Sequence, residues 1–109
     1  MAYDQQLVQR VRSLLEGVPG LVEKKMFGGI GYIVNGNMAC GVNGEQLIVR
    51  MSPADYAEAL TQPHVREFDL TGRSMKGWIF IQPAGVENDQ DLKAWVERGL
   101  HYAQGMPPK

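Results

Sequence analysis

The residues able to do chemistry in this chain are its cations, one thiol, two imidazoles and a cluster of acids. Lys24 and Lys25 enter an apolar stretch, Arg50 closes another, and Arg73 and Lys76 flank a third. An arginine fork can take phosphate or carboxylate in two parallel hydrogen bonds, and lysine adds a point charge. If strand ends gather Lys25, Arg50, Arg73 and Lys76 on one rim, they form a site for an anion or an acidic partner. The plainer alternative is a solvated surface with scattered ion pairs. Cys40 lies among small and apolar neighbours, the setting of a buried structural thiol. A nucleophilic cysteine needs a base, and neither His64 nor His101 has a sequence context that pairs it with Cys40. One cysteine and two separated histidines have no metal-ligand spacing, so no metal and no cofactor are expected. Glu87, Asp89 and Asp91 are explained as acids at a helix N-terminus, where the helix dipole favours negative charge. Phe27-Gly28-Gly29-Ile30-Gly31 has the glycines of a phosphate loop without its context. A dinucleotide fingerprint needs a strand before the glycines and a helix after them, and a Walker loop needs Gly-Lys-Ser/Thr. Here the glycines fall inside a strand, where they permit a bulge, a sharp twist or close packing.

These residues are positioned by a short series of elements. Asp4 caps a first helix with Leu7, Val11, Leu14, Leu15 and Val18 at helical spacing, and Gly17 and Pro19-Gly20 stop it. Lys25 to Val34 reads as a strand, Asn35-Gly36 as a type I′ hairpin turn, and Asn37 to Val42 as the returning strand. Asn43-Gly44 reads as a second turn of that kind, followed by a strand from Gln46 to Met51. Leu47, Val49 and Met51 share one face there, so Arg50 points to the other with Gln46 and Ile48. Ser52-Pro53-Ala54-Asp55 starts a short helix that ends before Pro63. Strands from Val65 to Leu70 and from Gly77 to Gln82 enclose the turn Thr71-Gly72-Arg73. Asn88 caps a last helix whose stripe is Leu92, Trp95, Val96, Gly99, Leu100 and Ala103. Trp95 is expected to be largely buried in that stripe. The expectation is an α+β domain: one five-stranded, mainly antiparallel sheet in the order α-β-β-β-α-β-β-α, its apolar face covered by helices.

Composition limits what such a domain does. A chain of 109 residues has room for one domain. Eleven Lys plus Arg against twelve Asp plus Glu leave a net charge of −1, which argues against a general polyanion binder. The apolar fraction of 44% and charged fraction of 21% are those of a globular chain. No run is apolar enough for a bilayer, and the first residues lack the pattern of a signal peptide, so a cytoplasmic location is expected.

Four motifs in order carry a resemblance. They are Lys24-Lys25-Met26-Phe27-Gly28-Gly29, Asn35-Gly36-Asn37-Met38, Leu47-Ile48-Val49-Arg50, and Thr71-Gly72-Arg73-Ser74-Met75-Lys76-Gly77-Trp78. Together with Leu92-Lys93-Ala94-Trp95-Val96, they resemble the N-terminal domain of the TfoX/Sxy competence regulators, from about Asp4 to Ala103. The resemblance implies the same element order and a role near transcriptional control of DNA uptake. Full-length members carry a further C-terminal helical domain. This chain ends at Lys109, so residues 1–109 are expected to form a stand-alone domain of the N-terminal type.

No catalytic constellation points to an enzyme. The first expectation is therefore a non-enzymatic regulatory or adaptor domain that contacts another protein. The alternative is a small-ligand or anion-binding module using Lys25, Arg50, Arg73 and Lys76. No helix-turn-helix or zinc finger is visible, so direct DNA binding by this chain alone is disfavoured. A second copy of the chain is a further candidate partner.

Overall fold

Local chemistry sets the ends of each element in the computed structural model, which describes residues 4–26, 28–68 and 77–107. The Asp4 carboxylate accepts from the backbone N–H of Gln6 (2.8 Å) and Leu7 (3.3 Å) and starts α1 (Gln5–Leu15). Leu7, Val8, Val11 and Leu15 are its buried face. Leu14, assigned to that stripe by spacing, is instead 36% exposed, and Val8 takes its place. Gly17 and Gly20 turn the chain through left-handed backbone at φ 82° and 76°.

The sheet has six strands, one more than expected. The stretch read as one strand from Lys25 to Val34 is two: β1 (Leu21–Met26) and β2 (Gly29–Val34), antiparallel and reversing at Gly28, φ 75°. The reversal escaped detection because β1, with Glu23, Lys24 and Lys25, has no apolar alternation. It is an edge strand with little to bury, whereas β2 is covered on both faces. Next come β3 (Asn37–Asn43) and β4 (Gln46–Arg50). Asn35 and Gly36 at φ 52° and 85° form the expected I′ turn. The β3–β4 turn is centred on Gly44-Glu45 because Asn43 pairs with Gln46. Only Gly44 has positive φ (58°), the type II′ pattern rather than I′.

The Ser52 hydroxyl accepts from the N–H of Asp55 and starts α2 (Pro53–Ala59). This helix carries the chain past the sheet to β5 (Val65–Glu67) at the far edge. Then β6 (Trp78–Ile81) returns between β4 and β5, giving the order β1-β2-β3-β4-β6-β5 with antiparallel neighbours throughout. Asn88 caps α3 (Asp89–Gly105), with Asp89 and Asp91 in its first turn. Leu92, Val96, Gly99 and Ala103 bury its inner face.

All three helices lie on one side of the sheet. Their apolar residues join Ile30, Tyr32, Val42, Leu47, Val49 and Ile81 in the main core. The opposite face carries a separate small cluster of Ile48, Phe68 and Phe80, edged by Met38 and Trp78. Trp95 departs from expectation. It is only partly buried, and the Arg98 guanidinium lies 5.0 Å from its ring centre. Arg10 joins α1 to the start of α3, donating to the Val86 carbonyl (2.8 Å) and the Asp89 carboxylate (2.9 Å).

Candidate functional site

Alternation along the strands decides where the cations go. In β1, Glu23 turns to the helix side, where its carboxylate accepts two bonds from Arg12 of α1, at 2.9 and 2.8 Å. Lys25 shares that side, at a cleft of about 420 Å³ between α1 and β1 with Gln5, Gln9 and Arg12. In β4, Leu47 and Val49 belong to the main core, so alternation directs Arg50, at the strand's end, away from that core. Lys25 and Arg50 are thus on opposite faces and three strand spacings apart, about 14 Å. They do not form one patch. Arg73 and Lys76 lie outside the described residues.

Arg50 has a distinctive setting. Its guanidinium lies 5.1 Å from the Trp78 ring centre and 5.6 Å from that of Tyr102. Trp78 is its cross-strand partner in β6, and Tyr102 comes from the end of α3. The rings attract the cation and hold its plane. Among the described residues no carboxylate or other acceptor engages its N–H groups. Two rings therefore flank a half-buried guanidinium, a group that can take carboxylate or phosphate in two parallel hydrogen bonds. Nearby on the same face, Arg66 lies 4.9 Å from the Phe80 ring centre and donates to the Gln46 side chain. The sequence showed Arg50 as a cation but not its stacking partners. Tyr102 is distant along the chain, and no local signal pairs Trp78 with Arg50.

The other candidates have structural settings. Cys40 is fully buried, and burial pushes its thiol up to about 12, so at neutral pH it is protonated. His64 and His101 are exposed and share no environment with it. The buried Tyr32 hydroxyl donates to the Val8 carbonyl (3.3 Å). Burial first, and the neighbouring Glu23 second, raise its pKa. The bond from Arg12 holds the Glu23 carboxyl below the usual range. Among the described residues, no three His, Cys, Asp or Glu side chains gather as a metal site. Nor is any described helix long and apolar enough to cross a membrane.

The glycines of the first motif are placed by packing. A Cβ at Gly29 would overlap the Val42 carbonyl, and one at Gly31 would meet the Met26 thioether. These are close approaches between strands, not a phosphate cradle.

The motif-bearing span from β1 to α3 is matched by a family model, the TfoX N-terminal domain, over residues 13–103. The chain belongs to the TfoX N-terminal domain family. No curated protein matches the sequence. In this TfoX N-terminal domain the matched residues include all six strands, so the Arg50 fork and its two rings fall within the family's own architecture.

Proposed function

We propose that this TfoX N-terminal domain is a non-enzymatic docking domain, acting in regulation by contacting an acidic group on another protein through Arg50. The observation that carries the reading is the Arg50 guanidinium, oriented by Trp78 and Tyr102 with no described acceptor on its donors. An arginine held this way loses little freedom on binding, so more of the interaction free energy appears as affinity. The non-enzymatic part is supported by the buried, protonated thiol and the exposed, separate histidines. Transcriptional control of competence is the process that the family resemblance suggests for this contact. Because the whole chain has a net charge of −1, the attraction is local, and duplex DNA is expected to bind weakly.

A photo-crosslinking residue placed at Gln46, on the Arg50 face, tests the reading in the native cell. One or a few defined protein adducts are expected, and Arg50→Glu should abolish them while leaving the melting temperature unchanged. Adducts indifferent to Arg50→Glu would reject the contact, and nucleic-acid adducts would move the reading to direct DNA binding. Quenching of tryptophan fluorescence by inorganic phosphate alone, lost in Arg50→Glu, would favour the small-anion alternative. Unchanged DNA uptake in a deletion strain would remove the competence assignment.

A further inference from the structure

The outer edge of the sheet, along β1, is open main chain. Asn35 donates its N–H to the Gly20 carbonyl (3.1 Å), which fixes the phase of the β1–β2 ladder. Counting on by twos, Val22, Lys24 and Met26 bond inward to their partners Ile33, Gly31 and Gly29. Glu23 and Lys25 therefore turn their N–H and C=O groups outward. β1 is the end strand of the sheet, and among the described residues none of these outward groups has a partner. The side chains leave the edge accessible. Val22, Glu23, Lys24 and Lys25 are all exposed, and Val22, at 55%, is the most exposed large hydrophobic side chain among the described residues. Such an edge is a template for one more strand.

The charges along this edge choose between occupants. Lys24 stands on the helix-free face with Val22, and Lys25 on the helix side with Glu23. The Glu23 carboxylate is held by Arg12, whereas neither lysine has a carboxylate partner among the described residues. The edge thus presents an uncompensated cation on each face. A second copy of this chain is a poor match. Two-fold antiparallel pairing sets one residue against its own copy, and centring it on Glu23, Lys24 or Lys25 opposes like charges. Their Cβ atoms would be about 5 Å apart, so they repel. Centring on Val22 puts Pro19 opposite Lys25, and proline has no N–H to give. A phosphodiester backbone likewise offers no N–H to the outward carbonyls.

We propose that β1 takes up an extended acidic segment of another protein as a further strand, antiparallel to it as all neighbours in this sheet are. The residues opposite Glu23 and Lys25 exchange main-chain hydrogen bonds with them. Read from its N-terminus, the segment places an acid opposite Lys25, an acid opposite Lys24, a small polar residue opposite Glu23 and a β-branched aliphatic residue opposite Val22. Adjacent acids reach both faces because successive side chains alternate. The aliphatic residue covers Val22 in a close, non-hydrogen-bonded pair. The edge is three strand spacings, about 14 Å, from Arg50. It needs no residue of the Arg50 contact, so it stands or fails apart from the docking reading above.

The probe is a synthetic peptide of about ten residues with Glu-Glu-Thr-Val at its centre, flanked by serine and threonine, titrated into the whole isotopically labelled chain. At saturation, amide hydrogen exchange at Glu23 and Lys25 should slow about tenfold or more, while Val22 and Lys24, already bonded to β2, change less. N-methylation of the peptide residue opposite Glu23 or Lys25 should abolish binding, and N-methylation opposite Lys24, where the N–H points away, should not. Glutamine in place of both glutamates should weaken binding about fivefold or more. The double variant Lys24→Glu, Lys25→Glu should lose the acidic peptide and gain one with lysines in place of its glutamates. Unslowed exchange at Glu23 and Lys25, equal affinity for the glutamine peptide, or indifference to N-methylation would each overturn the proposal. Protection of these amides without peptide, with a dimer in sedimentation, would also overturn it and make the occupant a second copy.

Discussion

Gly99→Ala tests the contact that seats α3 on the sheet. Gly99 is in the helix interior, where alanine is ordinarily better than glycine by about 1 kcal/mol. On propensity alone the substitution stabilises. The tertiary structure reverses the sign, because a Cβ there would overlap the Ala39 carbonyl and lie 3.1 Å from Val49 Cγ1. The obstacle is backbone, so it cannot rotate away, and α3 must lift from β3 along its contact. Overpacking of this kind costs about 3 kcal/mol at the upper end of its usual range. Subtracting the propensity gain leaves a loss of about 2 kcal/mol, or about 8 °C in melting temperature for a domain of this size. The control is Gly105→Ala, at the end of the same helix, where nothing lies within 4 Å of the new atom. Thermal unfolding followed by circular dichroism should show a clear fall for Gly99→Ala and none for Gly105→Ala. A Gly99→Ala protein as stable as the control, or more stable than wild type, would refute the close approach of α3 to β3.

Trp95→Ala should cost about 2 kcal/mol in urea unfolding, less than a core tryptophan, because the ring is only partly buried under Arg98. A loss above about 4 kcal/mol would place the ring in the core. Cys40 should resist a thiol reagent in the folded protein at pH near 8 and react at once in denaturant; prompt reaction of the folded protein would contradict its burial. Burial raises its thiol from the ordinary 9.0 to about 12, so the folded state favours the neutral form. The associated stability is complete below pH 9 and declines as pH rises toward 12. An alkaline stability curve that rises through that window would refute the assignment.

Much of the fold was legible because its signals are local. Asp4, Ser52 and Asn88 cap the three helices, each satisfying backbone N–H groups within three residues. Asn35-Gly36 marks a turn through its own tolerance of positive φ. The Leu47–Met51 alternation correctly turned Arg50 away from the main core. Where no local signal exists, the sequence was silent or misleading. The edge strand β1 buries too little to impose alternation, so its reversal into β2 was missed. Leu14 fits the helical period but faces outward, since the buried face of α1 is made by Leu7, Val8, Val11 and Leu15.

The site shows the same division more sharply. Residue type and strand parity alone determined that Arg50 is a fork on the face opposite the main core and that Cys40 is a small buried hydrophobe. Which cations share a face, and what orients them, was decided only by the assembled sheet. Lys25 opens one apolar stretch of the sequence and Arg50 closes another, yet the pleat and two intervening strands separate them. Tyr102 reaches Arg50 only because α3 packs across β3 and β4, and Gly31 meets Gly41 only because one hairpin register pairs them. Helix caps and turns are set by interactions within a few residues. Convergence of distant side chains depends on strand order, register and packing, and no short stretch of this sequence contains those.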